Sequence, residues 1–431
     1  MTSRPFLEEL AWRGLLVQHT EGAHEALAAG QVTGYCGFDP TADSLHVGNL
    51  VPIMGLVHLQ RAGHRPMALV GGGTGLIGDP SGRANERPLA DTGVIEANAG
   101  KIRDQLERFL DFSGSSAAQL RNNADWLVPL PAIDFLRDVG KHFSVNYMMA
   151  KDSVKSRLED GITFTEFAYM LLQAYDFLEL HRRYGVTFQI GGSDQWGNIT
   201  AGTELVRRSI GGSVHGVTFP LVTRSDGAKF GKSESGNVWL DGARTSPYRF
   251  YQFWINADDR DTARFLRYFT LMNREEVEAL DRAIAERPET REAQAALAME
   301  VTARVHGEDA AGTARDASRI LFDRLADPRS LTPAALQMLR DEIPFRRLQT
   351  VRDVTIGNGD QVQASVVDML VETGLVKSRG DAKRQIQQGA VTVNGRRFGA
   401  DELSVGAGEA IAGVYFLIRK GARDVALVEL A

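Results

Sequence analysis

Cysteine is almost absent: the 431 residues contain one, Cys36. A single thiol excludes an internal disulfide and any cysteine-built zinc site, so Cys36 reads as a small packing residue. An excess of positive charge is missing too. With 49 Lys and Arg against 55 Asp and Glu the formal charge is −6, which leaves a local basic patch as the way to hold a nucleic acid. No apolar run is long enough to span a bilayer, and Met1-Thr-Ser-Arg-Pro-Phe-Leu-Glu-Glu lacks a signal-type apolar stretch. A cytoplasmic protein with no membrane partner is the expectation. What the chain does have is 43% hydrophobic residues, ample for the cores of two or three domains.

The first informative stretch is Tyr35-Cys-Gly-Phe-Asp-Pro-Thr-Ala-Asp-Ser-Leu-His-Val-Gly-Asn49. Before it, 31–38 reads as a short buried strand; after it, Leu50, Val51, Met54 and Val57 recur at helical spacing until Gly63. His46 and Gly48 therefore sit where a strand crosses into a helix, and a helix start is an anion site. His46 can donate to a phosphate without a permanent charge, and Gly48 leaves room for a flat ligand; the plainer alternative is a helix cap and a turn glycine.

A second buried strand, 66–70, runs into Gly71-Gly-Gly-Thr-Gly-Leu-Ile-Gly-Asp-Pro-Ser-Gly82. Gly73-x-Gly75-x-x-Gly78 matches the dinucleotide fingerprint in form, but Asp79-Pro80 breaks the chain where that fingerprint needs a helix. The glycines instead let backbone approach a ligand. Asp79 either pairs with a ligand ammonium or starts the Asp-Pro turn, and Arg83 and Arg87 either reach phosphates or stay solvated. Helices are expected at about 93–112 and 131–140. Within 160–180, Tyr169, Gln173 and Asp176 fall at i, i+4 and i+7 on one helical face, where buried polar groups need partners in the core or in a ligand. The strand 186–190 then enters Gly191-Gly-Ser-Asp-Gln-Trp-Gly-Asn198, a loop like those at the ligand-binding edge of an open parallel sheet. Lys229-Phe-Gly-Lys-Ser233, after a turn-rich lead, is a lysine-bearing loop suited to a polyphosphate.

His46-Val-Gly-Asn49 and Lys229-Phe-Gly-Lys-Ser233 resemble the paired His-Ile-Gly-His and Lys-Met-Ser-Lys-Ser signatures of class I aminoacyl-tRNA synthetases. With Tyr35-Cys-Gly-Phe-Asp39, Gly78-Asp-Pro-Ser-Gly82, Tyr169, Gln173, Asp176 and Gly191-Gly-Ser-Asp-Gln-Trp196, the likeness narrows to the bacterial tyrosyl-tRNA synthetases and covers essentially the whole chain. That resemblance implies an α/β protein: a Rossmann-like parallel-sheet catalytic domain at 1–234, a helical anticodon-side domain at 235–325, a linker at 326–360 and a small α+β RNA-binding domain at 361–431. It implies L-tyrosine, ATP with Mg²⁺ and tRNA(Tyr) as partners, a homodimer, and no tightly bound cofactor or structural metal.

By the same resemblance Tyr35 and Asp176 bind the phenolic hydroxyl, Asp79, Tyr169 and Gln173 the ammonium, and Gln195 the carboxyl end. Asp39, Pro40, Gly48, Gly192 and Asp194 lie along the adenylate, with Asp194 and Asn49 on the ribose. Thr41 and His46 contact the γ-phosphate, while Arg83, Arg87, Lys229 and Lys232 meet the departing pyrophosphate, and Ser233 belongs to the ATP site.

The region 246–323 reads as helical, with aromatics at Tyr248, Phe250, Tyr251, Phe253 and Trp254 that are core or a base-stacking surface. Toward the C-terminus, a helix at 363–373 precedes Lys377, Arg379, Lys383, Arg384, Arg396 and Arg397, six basic residues against the one acid Asp381 within 377–397. So one-sided a patch, followed by Val-Asn-Gly, favours RNA over a solvated helix face, and it resembles the RNA-binding domain first seen in the fourth small-subunit ribosomal protein. Two rivals differ in class: a nicotinamide-dependent oxidoreductase built on the Gly73 run, and a catalytically idle RNA-binding protein on a synthetase fold.

Overall fold

The computed structural model describes residues 5–79, 81, 91–155, 161–227, 230–233, 236–323, 326–348, 354–356, 362–421 and 423–430. They form two compact units: Met1–Thr245 with Phe253–Val305, and Ser246–Gln252 with His306–Ala431.

In the first unit six strands make one sheet: β1 (Gln18–His19), β2 (Thr33–Phe38), β3 (Arg65–Val70), β4 (Gln119–Asn122), β5 (Phe188–Gly192) and β6 (His215–Phe219), in the order β1-β6-β5-β2-β3-β4. All neighbours are parallel except β1, which lies antiparallel on the edge. Strands β3 and β6 are buried almost throughout, as their apolar runs require of strands covered by helices on both faces. From β2 the chain steps outward through β3 to β4 and then returns to the other side of β2 as β5. That reversal is a topological switch point, where open α/β sheets hold their ligands. Pairing between β2 and β5 covers only Gly34 with Phe188 and Tyr35 with Gln189. Beyond it β2 runs on to Phe38 and β5 to Gly192 without pairing to each other, so a crevice opens between their C-terminal ends.

Helix Leu50–Arg61 carries the crossover from β2 to β3 and is buried over most of its length. Gly55 lets it sit tight on the sheet, because a Cβ there would lie 2.2 Å from the Phe219 ring. Helix Phe164–Tyr184 starts at Thr163, whose hydroxyl accepts from the Glu166 amide, and stops at Gly185 with φ of 64°. Of the helices expected at 93–112 and 131–140, the first is Thr92–Leu106 and the second Ala132–Asp138. Further helices, Asp259–Phe269, Arg274–Glu286 and Glu292–His306, follow. Tyr248, Phe250, Tyr251 and Trp254 are buried and Phe253 is half-buried, its ring packed on Phe230 and Trp254, so these aromatics are core and not a base-stacking surface.

A five-stranded sheet organises the second unit: β7 (Phe345–Leu348), β8 (Val391–Val393), β9 (Arg396–Arg397), β10 (Tyr415–Lys420) and β11 (Asp424–Leu430), ordered β9-β8-β10-β11-β7. Helix Pro333–Arg340 and β7 both fall within 326–360. The helix expected from Gln363 starts later, at Val366, since the preceding residues pair as the strand Val362–Ser365 and Ser365 caps the helix by accepting from the Asp368 amide at 3.2 Å. Helices Val366–Glu372 and Arg379–Gln387 pack on the core formed by Phe398, Phe416, Ile418 and their neighbours. Asn394 and Gly395 have φ of 50° and 80°, the positive pair of a tight hairpin turn, and this places Arg396 and Arg397 on an exposed strand.

Candidate active site

The crevice at the switch point is a cavity of about 820 Å³. At its closed end lies Tyr35, 1% exposed, whose hydroxyl has no hydrogen-bond partner among the described residues. Burial, and then the charge of Asp176, push that phenol well above its ordinary pKa. Asp176 is itself 2% exposed and is held by two donors: Trp126 Nε1 at 2.7 Å and Asn123 Nδ2 at 2.9 Å. Burial still lifts its carboxyl from 3.8 to about 7. Asn123 is fixed in turn, donating to Thr74 Oγ1 at 2.9 Å and accepting from the Gly73 amide at 2.7 Å. The network runs on: Thr74 donates to Asp39 at 3.2 Å, and the Tyr169 hydroxyl donates to the other Asp39 oxygen at 3.3 Å. A polar end so built inside an apolar core asks for a ligand group that both donates and accepts.

Further along the cavity a second cluster joins Gln173, Asp79, Gln195 and Asn198. Gln173 Nε2 donates to Gln195 Oε1 at 3.2 Å, Gln195 Nε2 donates to Asp79 Oδ2 at 2.7 Å, and Asn198 Nδ2 donates to Gln173 Oε1 at 2.9 Å. Asp79 makes the turn expected of it, because its other oxygen accepts from the Ser81 amide at 2.9 Å. Asp194 also lines the cavity, and its pKa is raised by burial and by the charge of Asp79. A Cβ at Gly192 would lie 2.4 Å from Asp194 Oδ1, so a side chain there would displace that carboxylate.

The mouth is formed by the His46 turn. Val47–Asn49 is a single helical turn, with His46 Nδ1 accepting from the Gly48 amide at 3.0 Å and Asn49 Oδ1 accepting from the His46 amide at 3.0 Å. This arrangement keeps the imidazole proton on Nε2, so the ring is a neutral donor. Gly48 is required for a reason internal to the motif: a Cβ would lie 2.7 Å from the His46 ring. Thr41 lines the same mouth. Pro40 does not; it packs against Gly75, and its carbonyl accepts from Asn98 Nδ2 at 3.1 Å.

Four carboxylates, those of Asp39, Asp79, Asp176 and Asp194, line the cavity, and no lysine or arginine does among the described residues. The expected cations Arg83, Arg87 and Lys229 lie outside the described residues, as do the side chains of Lys232 and Ser233. The backbone of Lys232–Ser233 pairs with Gly236–Asn237. Among the described residues the Gly73 fingerprint is followed by the short turn Thr74–Leu76 and then by the helix from Thr92, so no described helix N-terminus stands at the glycines.

Asn123, Trp126, Thr74 and Asn198 are site residues the sequence reading missed. For Asn123 and Trp126 the signal is Arg121-Asn-Asn-Ala-Asp-Trp126, an amide pair and a tryptophan at the end of a strand, while Thr74 and Asn198 stand inside the glycine-rich stretches 71–82 and 191–198.

In the second unit, Arg379 pairs with Asp368, Arg384 with Asp381 at 2.6 Å, and Arg396 with Glu402 at 2.8 Å. Lys377, Lys383 and Arg397 are exposed and form no ion pair among the described residues.

A parallel sheet whose switch-point crevice carries a His-x-Gly-x turn on one lip and a lysine-bearing hairpin nearby is the nucleotide-binding fold of class I synthetases. The family described as tRNA synthetases class I (W and Y) matches residues 28–323, and the C-terminal domain family of tyrosine–tRNA ligases matches 348–428. Among similar proteins, the tyrosine–tRNA ligase of Anaeromyxobacter dehalogenans is 52% identical over 98% of this chain and 99% of its own. That of Geobacillus stearothermophilus is 51% identical over 99% of each. A C-terminally truncated mitochondrial tyrosyl-tRNA synthetase from Aspergillus nidulans superposes with a TM-score of 0.67 at 31% identity, covering 74% of this chain and 94% of that one. The chain belongs to the class I tRNA synthetases for tryptophan and tyrosine.

Proposed function

We propose that this chain is a tyrosine–tRNA ligase, joining L-tyrosine to ATP as tyrosyl-adenylate and then passing the tyrosyl group to the 3′ end of tRNA(Tyr). The observation that carries the choice of amino acid is the Tyr35–Asp176 pair. A phenolic hydroxyl donates to the Asp176 carboxylate and still accepts from Tyr35, whereas an indole N–H only donates and a phenyl ring does neither. Both would leave buried polar groups unpaired. Asp79, Tyr169 and Gln173 hold the ammonium, and Gln195 orients the carboxylate.

Activation is an in-line attack of that carboxylate on the α-phosphorus of ATP. The nucleophile is already ionised, so no general base is called for. Catalysis is positioning plus stabilisation of charge on the phosphates. Asp39, Gly48, Gly192, Asp194 and Asn49 lie along the nucleoside, Asn49 through its amide nitrogen because its oxygen caps His46. Neutral donors Thr41 and His46 meet the γ-phosphate. The carboxylate-rich cavity repels a polyphosphate, so Arg83, Arg87, Lys229 and Lys232 must bring the offsetting charge, and Mg²⁺ arrives with ATP as part of the substrate. Lys377, Lys383 and Arg397 lead the tRNA contacts, in a cytoplasmic enzyme.

A homodimer fits the surface: Ile133, Leu136, Val145 and Phe164 are 72%, 54%, 65% and 77% exposed, and monomers rarely leave so many large apolar groups in water within one stretch. Sedimentation of an Ile133→Asp, Phe164→Asp double variant should give monomer where the parent gives dimer. The function itself is tested by amino-acid-dependent exchange of pyrophosphate into ATP over all the amino acids. Exchange with tyrosine alone is expected; exchange with tryptophan, or with none, overturns the reading.

A further inference from the structure

Phe230, inside the lysine-bearing loop, is 7% exposed although its neighbours in sequence are polar or glycine. Its ring stacks on Phe269, with centroids 5.5 Å apart and planes 2° off parallel, and meets Phe253, Trp254 and Phe265 at 5.8, 6.0 and 5.2 Å. One residue on, Gly231 has φ of 81°, and a Cβ there would lie 2.9 Å from Val47 of the His46 turn. Backbone bonds close the gap between the two motifs: the Val238 amide donates to the Gly231 carbonyl at 2.9 Å, and the Val238 carbonyl accepts from the Val47 amide at 3.0 Å. The Leu240 amide donates to the Leu45 carbonyl at 2.8 Å, and the Trp239 amide to Thr245 Oγ1 at 3.0 Å. The segment 238–240 thus lies as a strap between the loop and the turn, and Phe230 pins the loop to the helices behind it.

We propose that Phe230 is a positioning residue for adenylate formation: its ring, fixed in the aromatic cluster, and the Val238 strap together set the Lys232 backbone at a fixed place relative to the His46 turn. This rests on the reading of Lys232 as a pyrophosphate-handling group. Displacing such a group by about 1 Å costs on the order of 10²-fold in rate, whereas among the described residues Phe230 is not part of the cavity lining that holds the tyrosine end. An aromatic ring held by four others also has few ways to shift, which a flexible side chain would not guarantee.

The test is pre-steady-state adenylate formation in the full chain for F230A, F230L, K232A and the F230A/K232A double variant, with equilibrium tyrosine binding measured on each. F230A should slow adenylate formation by roughly 10- to 100-fold while tyrosine affinity stays within about twofold. F230L, which keeps an apolar plug, should fall between F230A and the parent, and it carries the test if F230A does not fold. In the K232A background, F230A should add little, because a residue that acts through Lys232 has nothing left to position. A slow K232A beside Phe230 variants at the parent rate overturns the proposal alone. An undiminished F230A effect in the K232A background does the same. K232A at the parent rate would instead remove the reading of the loop on which the proposal stands.

Discussion

The two ends of the cavity solve different problems by different means. The closed end is built from side chains far apart in sequence: Asp39, Thr74, Asn123, Trp126, Tyr169 and Asp176 meet through hydrogen bonds of 2.7 to 3.3 Å, buried among apolar residues. The mouth is built from two contiguous peptide segments whose backbones are strapped together through Val238. Discrimination between amino acids needs dry, satisfied polar groups that leave room for one hydroxyl, because only there does a missing bond carry its full cost. Handling a polyphosphate needs charge and reach, which a short peptide with lysines supplies without a buried network.

If that contrast holds, damage at the closed end should be deeper than at the mouth. Asp176→Ala strips the acceptor from Asn123, from Trp126 and from the substrate; at about 1–3 kcal/mol per orphaned group, tyrosine activation should fall by about three orders of magnitude or more. Steady-state exchange kinetics measure this, and activity near the parent level would remove Asp176 from the pocket. Lys232→Ala should lower the rate of adenylate formation by about 10²-fold with tyrosine affinity nearly unchanged, read by single-turnover kinetics and equilibrium binding.

A pH series sharpens the comparison without any mutation. The Asp176 carboxyl, lifted to about 7 by burial, accepts from Asn123, Trp126 and the phenol most strongly when ionised, so binding below that pH expels a proton. Tyrosine affinity should therefore weaken as pH drops from about 8 to about 6, by at most about tenfold per unit. In the free protein the same raised value means that the folded state binds the proton more tightly than the unfolded one. Its contribution to stability is thus lost as pH rises from about 4 to about 7. Thermal melts of the parent and of Asp176→Asn should differ in slope over that window.

The smallest effect is expected in the second unit. Lys383→Ala, removing an exposed cation with no ion pair among the described residues, should weaken tRNA binding a few-fold and lower its salt dependence by about one phosphate contact. Arg384, engaged with Asp381 at 2.6 Å, should matter less than Lys383. A filter-binding salt titration separates the two.

The mouth was legible in the sequence because each of its parts is a short motif with local geometry. The His46–Asn49 turn carries its own hydrogen bonds, and Gly48 is dictated by the adjacent His46 ring. The helical spacing of Tyr169, Gln173 and Asp176 was equally readable, since one helix presents them together. Asn123 and Trp126 were not. Their place beside Asp176 depends on β4 pairing with β3 and on how helix Phe164–Tyr184 packs, and neither relation leaves a local pattern. For the same reason Phe230 passed as a variant letter of a motif: its partners Phe253, Trp254, Phe265 and Phe269 follow some twenty to forty residues later in the chain. The start of the helix at Val366 was missed because Gln363 to Ser365 bond to neighbouring strands, a tertiary preference that overrides the local one.

The central claim is that the closed end is a preformed partner for a phenolic hydroxyl, and the ratio of kcat/KM for tyrosine to that for phenylalanine tests it most directly. Pyrophosphate exchange should give a large ratio for the parent. In Tyr35→Phe, which removes one of the two groups facing the hydroxyl, the ratio should fall by about tenfold or more, chiefly through loss of activity with tyrosine. An unchanged ratio in Tyr35→Phe would contradict the account.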